Sequence, residues 1–181
     1  MGRTRAALDD TAMRFIQEQH VFFVASAPLD ANGHVNLSPK GLDSFRILDP
    51  TTVAYVDFNG SGVETIAHLK ENGRVALMFC AFQGPPNIFR LYGRGRVVEP
   101  HEAGFEELAP HFPAYDSARS IIVVELDRIT DSCGYGVPLM KYEGEREQLF
   151  SWARKKGPEG LAAYRQEKNR RSVDGLPGLG D

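Results

Sequence analysis

The sequence predicts a mainly β domain with flanking helices, an α+β arrangement built on an antiparallel barrel. Three observations predict it: six or seven β-branched and aromatic runs, turn signals between most of them, and no regular alternation of strand and helix of the kind a parallel sheet needs. At 181 residues the chain suffices for one domain with a substantial core. Residues 1–143 are expected to form the barrel with its first helix, and 144–181 a helical extension of the same domain.

Residues 4–19 set Leu8, Ala12, Phe15 and Ile16 at helical spacing among charges, which predicts an amphipathic helix lying across the sheet. Residues 20–26 then read as a strand, closed by Pro28 and a turn at 30–33, with residues 34–38 as its hairpin partner. A third strand is expected over 52–58, bounded upstream by Asp49-Pro50. After the turn Asn59-Gly60-Ser61-Gly62, a helix runs over 63–71 and stops at Asn72-Gly73. Two long neighbouring strands follow at 74–82 and 88–98, then a short helix at 101–108 and two more strands at 120–126 and 129–135. The end of the chain, 144–171, is charged and helical with a break at Gly157-Pro158, and it finishes in a glycine-rich tail.

Composition narrows the function. Lys and Arg total 21 against 24 Asp and Glu, a formal net charge of −3, which does not suit nucleic acid or an anionic membrane surface. No apolar run is long enough for a signal peptide or a membrane span, and the two cysteines, Cys80 and Cys133, form no CxxC pair, so reduced thiols and a cytoplasmic location are expected. Five histidines, His20, His34, His68, His101 and His111, show no metal-ligand spacing, and no metal site is expected.

The segment with most chemical content is the strand, glycine turn and helix around Asn59-Gly60-Ser61-Gly62. Glycines let backbone N–H groups converge, and a helix start carries unpaired donors, so a phosphate could sit there. Ser61 and Glu64 also have the spacing of a capping box, which would satisfy the same donors internally. The segment Asn36-Leu37-Ser38-Pro39-Lys40-Gly41 puts a hydroxyl, a cation and a glycine in close order, which suits an anionic ligand or an ordinary turn. Gly93-Arg94-Gly95 is no dinucleotide fingerprint, because a strand continues where a helix should begin; it marks a bulge or a close approach of backbones. Cys133-Gly134-Tyr135 would admit a flat ligand or form a tight turn.

In order along the chain these segments resemble the FMN-binding family related to pyridoxamine 5′-phosphate oxidase, from about Phe15 to Val98 and again from Ser132 to Pro138. The carriers are Ser38-Pro39-Lys40-Gly41, Phe58 through Gly62 leading by Thr65 to Leu69, the strand entry Asn72-Gly73-Arg74-Val75, and Arg90-Leu91-Tyr92-Gly93. The resemblance implies a split barrel that dimerises, with FMN in clefts at the interface, its phosphate near the turn and helix, and its ring along the strand ending at Lys40. The cofactor-binding residues it implies are Ser38, Lys40, Gly41, Asn59, Ser61, Gly62, Thr65 and Arg90. Cys133, Gly134 and Tyr135 would be contributed beside the ring, from the second subunit. F420 and haem are the alternative ligands.

Two departures bear on the reaction. The phosphate-binding helix start, rich in Arg and Lys in the oxidases themselves, here reads Val63-Glu64-Thr65, and the substrate-binding Trp and Arg-Leu-x-Pro ending are replaced by residues 169–179. Pyridoxal phosphate synthesis is therefore not expected. The expectation is an FMN-dependent oxidoreductase acting on an unidentified small molecule, with no acid or base assigned; the alternative is a non-catalytic FMN or haem carrier or sensor.

Overall fold

The computed structural model describes residues 2–180. In chain order the elements are β1 (Thr4–Arg5), α1 (Asp10–Gln17), β2 (Phe22–Ser26), β3 (Asn36–Lys40), β4 (Phe45–Asp49), β5 (Thr52–Phe58), α2 (Glu64–Asn72), β6 (Arg74–Cys80), β7 (Ile88–Val98), α3 (Ala103–Leu108), β8 (Ala118–Ser132) and α4 (Gln148–Lys168). The strands form one antiparallel sheet in the order β3-β2-β6-β7-β8-β5-β4, with β1 added to β8. The sheet does not close by hydrogen bonds, yet it curls until its two ends meet through side chains. Phe22 on β2 packs against Phe45 on β4 and Tyr55 on β5, with ring centroids 5.2 and 5.6 Å apart. That is a mainly β, antiparallel split barrel with flanking helices, as the sequence predicts.

Two cores explain the strand patterns. Along β2 the buried residues alternate, Phe22, Val24 and Ser26 facing the barrel interior. Val53 to Asp57 of β5 are instead buried without interruption. Val53 and Tyr55 join the barrel core, while Ala54 and Val56 join a second core with Val98, Leu108, Phe112, Ile121 and Val123. A strand covered on both faces reads as a continuous apolar run. Each fully buried Val, Ile, Leu or Phe of these cores contributes about 1.5–3 kcal/mol of transfer free energy.

Several boundaries differ from expectation. Helix α1 starts at Asp10, because Asp9 caps it by accepting from the Ala12 N–H at 2.8 Å, and Thr4 and Arg5 pair with β8 instead. Strand β4 was not foreseen; it is short, and an Asx turn in which Asp49 accepts from the Thr51 N–H at 2.7 Å joins it to β5. The two strands expected at 120–126 and 129–135 are one strand that ends at Ser132, leaving 133–135 outside it. Its register shifts opposite Tyr92 and Gly93, and the extra residue changes the phase of the burial pattern, which makes one strand look like two. Gly93 serves that bulge: a Cβ there would lie 2.0 Å from the Glu125 carbonyl oxygen. Helix α2 does stop at Gly73, at φ 71°, and α4 does break at Gly157, at φ 65°.

Candidate functional site

A cleft of about 410 Å³ opens between β3, the turn after β5 and the start of α2. The 2.0 periodicity of β3 puts Asn36, Ser38 and Lys40 on one face, and all three line the cleft with Gly41, Asn59, Gly62 and Thr65. Its size falls within the range of ligand clefts, roughly 300–1,000 Å³. The chain leaves β3 through Leu42, held at φ 61°, a left-handed conformation that costs a branched residue roughly 1–2 kcal/mol. Ser44 steadies this turn by donating to the Gly41 carbonyl at 2.7 Å.

The floor is electrostatic. Asp57, 1% exposed, accepts from Lys40 Nζ at 2.9 Å and from Arg119 Nε at 2.6 Å. A register shift between Asp57 and Phe58 sets Arg119 opposite them as the extra residue of a bulge. Burial pushes the Asp57 carboxyl up, but the charges and hydrogen bonds of Lys40 and Arg119 outweigh it and hold the group below the usual carboxylate range. Two cations against one ionised acid leave one net positive charge in this cluster, which favours an anionic partner, while the Glu64 carboxylate, which also lines the cleft, works against it.

The wall opposite is the start of α2. The expected capping box does not form: the N-cap is Val63, without a side-chain cap, and the Glu64 carboxylate turns to the C-terminal segment, accepting from the Val173 N–H at 3.1 Å. The physical reason is competition, since residues 169–180 fold back over this end of α2. There Asn169 donates to the Gly60 carbonyl at 2.9 Å, His34 pairs with Asp174 at 2.6 Å, and Leu179 enters the barrel core. Gly60 and Gly62 have ordinary backbone angles, and a Cβ on either would meet no atom of the chain closer than 4.0 Å. Neither packing nor backbone geometry calls for glycine here; a ligand lying against the turn would.

Behind the cleft runs a polar chain. Ser38 Oγ donates to Asn36 Oδ1 at 3.2 Å, and Asn36 Nδ2 donates to Thr65 Oγ1 at 2.9 Å. Ser26 Oγ lies within hydrogen-bond reach of both Asn36 and the buried His68, 2.9 Å from its Nδ1. Burial holds the His68 imidazole below its ordinary value, so it is neutral. This chain fixes the Thr65 hydroxyl at the cleft.

The structure therefore brings Ser38, Lys40, Gly41, Asn59, Gly62 and Thr65 to one cleft. Ser61 is exposed in the same turn but does not line it, and the Asn59 amide is engaged by the Ser117 carbonyl at 2.8 Å. Arg90, Cys133, Gly134 and Tyr135 stand elsewhere. Arg90 donates to Ser132 at 3.0 Å, and Gly134 packs on the Asn87 backbone at the rim of a different groove. Sequence reasoning missed Asn36, Asp57 and Arg119. The available signal was an acid inside the apolar run Tyr55-Val56-Asp57-Phe58, since a buried charge must find a partner.

Comparison with known proteins places this geometry. The family described as pyridoxamine 5′-phosphate oxidase matches residues 8–133. The pyridoxamine 5′-phosphate oxidase family protein ustO of Aspergillus flavus is 40% identical over 191 residues, covering 96% of this chain and 76% of its own length. Among solved structures, HupZ of Group A Streptococcus superposes with a TM-score of 0.52 at 20% identity, covering 67% of this chain and 91% of that one. An FAD-binding protein of Mesorhizobium loti gives 0.51 at 14%, covering 72% and 96%. At these identities the solved structures speak for the fold.

Proposed function

The chain belongs to the pyridoxamine 5′-phosphate oxidase family, and from that membership we propose that it is an FMN-binding oxidoreductase acting on a small substrate. The observation that carries the reading is the pair of cations on one buried carboxylate, set beneath a cleft walled by an uncapped helix start and two unobstructed glycines. The residues fit a phosphorylated, flat cofactor. Thr65 and the first turn of α2 would hold the phosphate, the backbone at Gly60 and Gly62 would let it approach, and Ser38 and Lys40 would meet the polar edge of the ring.

Bound FMN would supply hydride or single-electron transfer. The chain's own share is binding, orientation and charge compensation: among the described residues the cleft lining contains no His, Cys or Tyr, and its carboxylate, Glu64, is engaged by the Val173 N–H. Asp57 is locked as an anion between Lys40 and Arg119, so it stabilises the cations rather than moving a proton. Proton handling falls to the substrate or to solvent.

The test is anaerobic titration of the purified protein with FMN, followed by NADPH. Quenching of flavin fluorescence that saturates near one FMN per chain, then bleaching of the visible bands, is the expected result. Unquenched FMN would overturn the cofactor reading; FMN that binds but resists both NADPH and NADH would make the protein a carrier.

A further inference from the structure

The polar chain behind the cleft has a direction, and its deep end is His68. The imidazole is 0% exposed and its Nε2 has no partner among the described residues, so the ring is held by the single contact of Nδ1 with Ser26 Oγ at 2.9 Å. A neutral imidazole donates from one nitrogen and accepts at the other, and with Nε2 unpartnered only Ser26 selects which. Ser26 is itself decided by Asn36. The Asn36 Nδ2 group spends its two hydrogens on Thr65 Oγ1 at 2.9 Å and on Ser26 Oγ at 3.4 Å, while Asn36 Oδ1 accepts from Ser38. Ser26, accepting from Asn36, has one hydrogen left and gives it to His68 Nδ1. His68 therefore carries its proton on Nε2.

The reverse polarity would connect the same groups and give the cleft a different face. With the proton on Nδ1, His68 would donate to Ser26, and Ser26 and Thr65 would both donate to a turned Asn36 amide. The Thr65 hydrogen would then be consumed inside the wall. In the polarity observed, Thr65 accepts from Asn36 and keeps its hydrogen for the cleft that it lines. Burial outweighs the pull of Glu64, Asp174 and Glu71 and keeps the ring neutral, so the acceptor at Nδ1 persists.

We propose that His68 is a positioning residue: through Ser26 and Asn36 it keeps the Thr65 hydroxyl turned outward as a hydrogen-bond donor to a phosphate group in the cleft. His68 reaches the cleft only through those two side chains and touches no ligand itself. The phosphate rests on the cofactor reading; the direction of the chain does not.

Two measurements on the full chain test it. Heteronuclear NMR of the histidine side chains, without flavin, should show His68 protonated at Nε2 and bare at Nδ1; a proton on Nδ1 overturns the proposal. Titration with FMN and with riboflavin, which lacks the phosphate, then compares the wild type with His68→Leu and His68→Asn. His68→Leu frees Ser26 to turn and should weaken FMN by about tenfold, the worth of one hydrogen bond to a charged group, while riboflavin affinity stays within about twofold and shows the fold intact. His68→Asn places an amide oxygen where Nδ1 stood and should keep the wild-type preference for FMN. In a Thr65→Val background, His68→Leu should cost nothing further. Equal losses of FMN and riboflavin, or a loss of FMN that persists without the Thr65 hydroxyl, would make His68 a structural residue and overturn the proposal. A wild type that binds neither flavin while His68 carries its proton on Nε2 would overturn the cofactor reading and leave the direction of the chain standing.

Discussion

Glycines in this chain do opposite work, and their surroundings separate them. At Gly93 an added Cβ would lie 2.0 Å from a β8 carbonyl oxygen, so an alanine there must push two strands apart. At Gly62 nothing in the chain stands closer than 4.0 Å, and the backbone is one that any residue adopts. Gly62→Ala should therefore fold with stability within about 0.5 kcal/mol of the wild type, or slightly above it through reduced freedom of the unfolded chain. Its FMN affinity should fall by about tenfold, because the methyl group occupies the approach of the phosphate. Gly93→Ala should lose stability. Thermal unfolding beside FMN titration checks both, and an alanine at Gly62 that leaves FMN binding intact would remove the glycine turn from the site.

Among the elements, the C-terminal segment is tied to the start of α2 through the Glu64 side chain, and its hold depends on pH. The hydrogen bond with Asp174, then its charge, raises the His34 imidazole above 6.5, with Glu64 adding to the effect. The same hydrogen bond and the His34 backbone N–H lower Asp174 below 3.8, helped by the His34 charge and slightly by His68. The His34 contribution is complete below 6.5 and disappears as pH rises through its raised value; that of Asp174 is complete above 3.8 and disappears as pH falls through its lowered value. The segment is held best between these limits. Hydrogen exchange at the Val173 amide, corrected for intrinsic rates, should show more protection near pH 5 than near pH 8. His34→Ala should erase the difference, and equal protection in the wild type would show that the pair does not hold the segment.

This contact also marks the limit of the sequence. Strand and helix types were legible because periodicity and β-branched runs are local, and so were the Gly73 stop and the Gly157 break. The bulge was signalled at Gly93-Arg94-Gly95, but the extra residue it places in β8 was not legible, since one inserted residue mimics a strand end. Nor were β4 and β1, too short to show a period. Ser38, Lys40 and Thr65 were reached through their order along the chain. Asp57 and Arg119 were not, because their pairing joins residues 62 positions apart and only the sheet register brings them together.

The whole molecule exposes several large apolar side chains near one edge of the sheet, the kind of surface that marks an interaction face. Leu37 is 63% exposed on the edge strand β3, and Tyr135, Leu139 and Met140 are exposed beyond β8. A groove of about 1000 Å³ lined by Phe15, Phe23, Pro39, Phe82 and Met140 lies beside that edge. Pro39, with no N–H, limits further strand pairing there, so side chains rather than a continued sheet would make the contact. A homodimer formed through this surface would also carry Cys133, Gly134 and Tyr135 to a cleft they do not reach in their own chain. Sedimentation should give a dimer for the wild type and a monomer for the double variant Leu37→Asp with Met140→Asp. A wild-type monomer would refute the interface. If the monomeric variant instead binds FMN as tightly as the dimer, the interface stands and residues 133–135 have no part in holding the cofactor, which confines the site to β3, the glycine turn and α2.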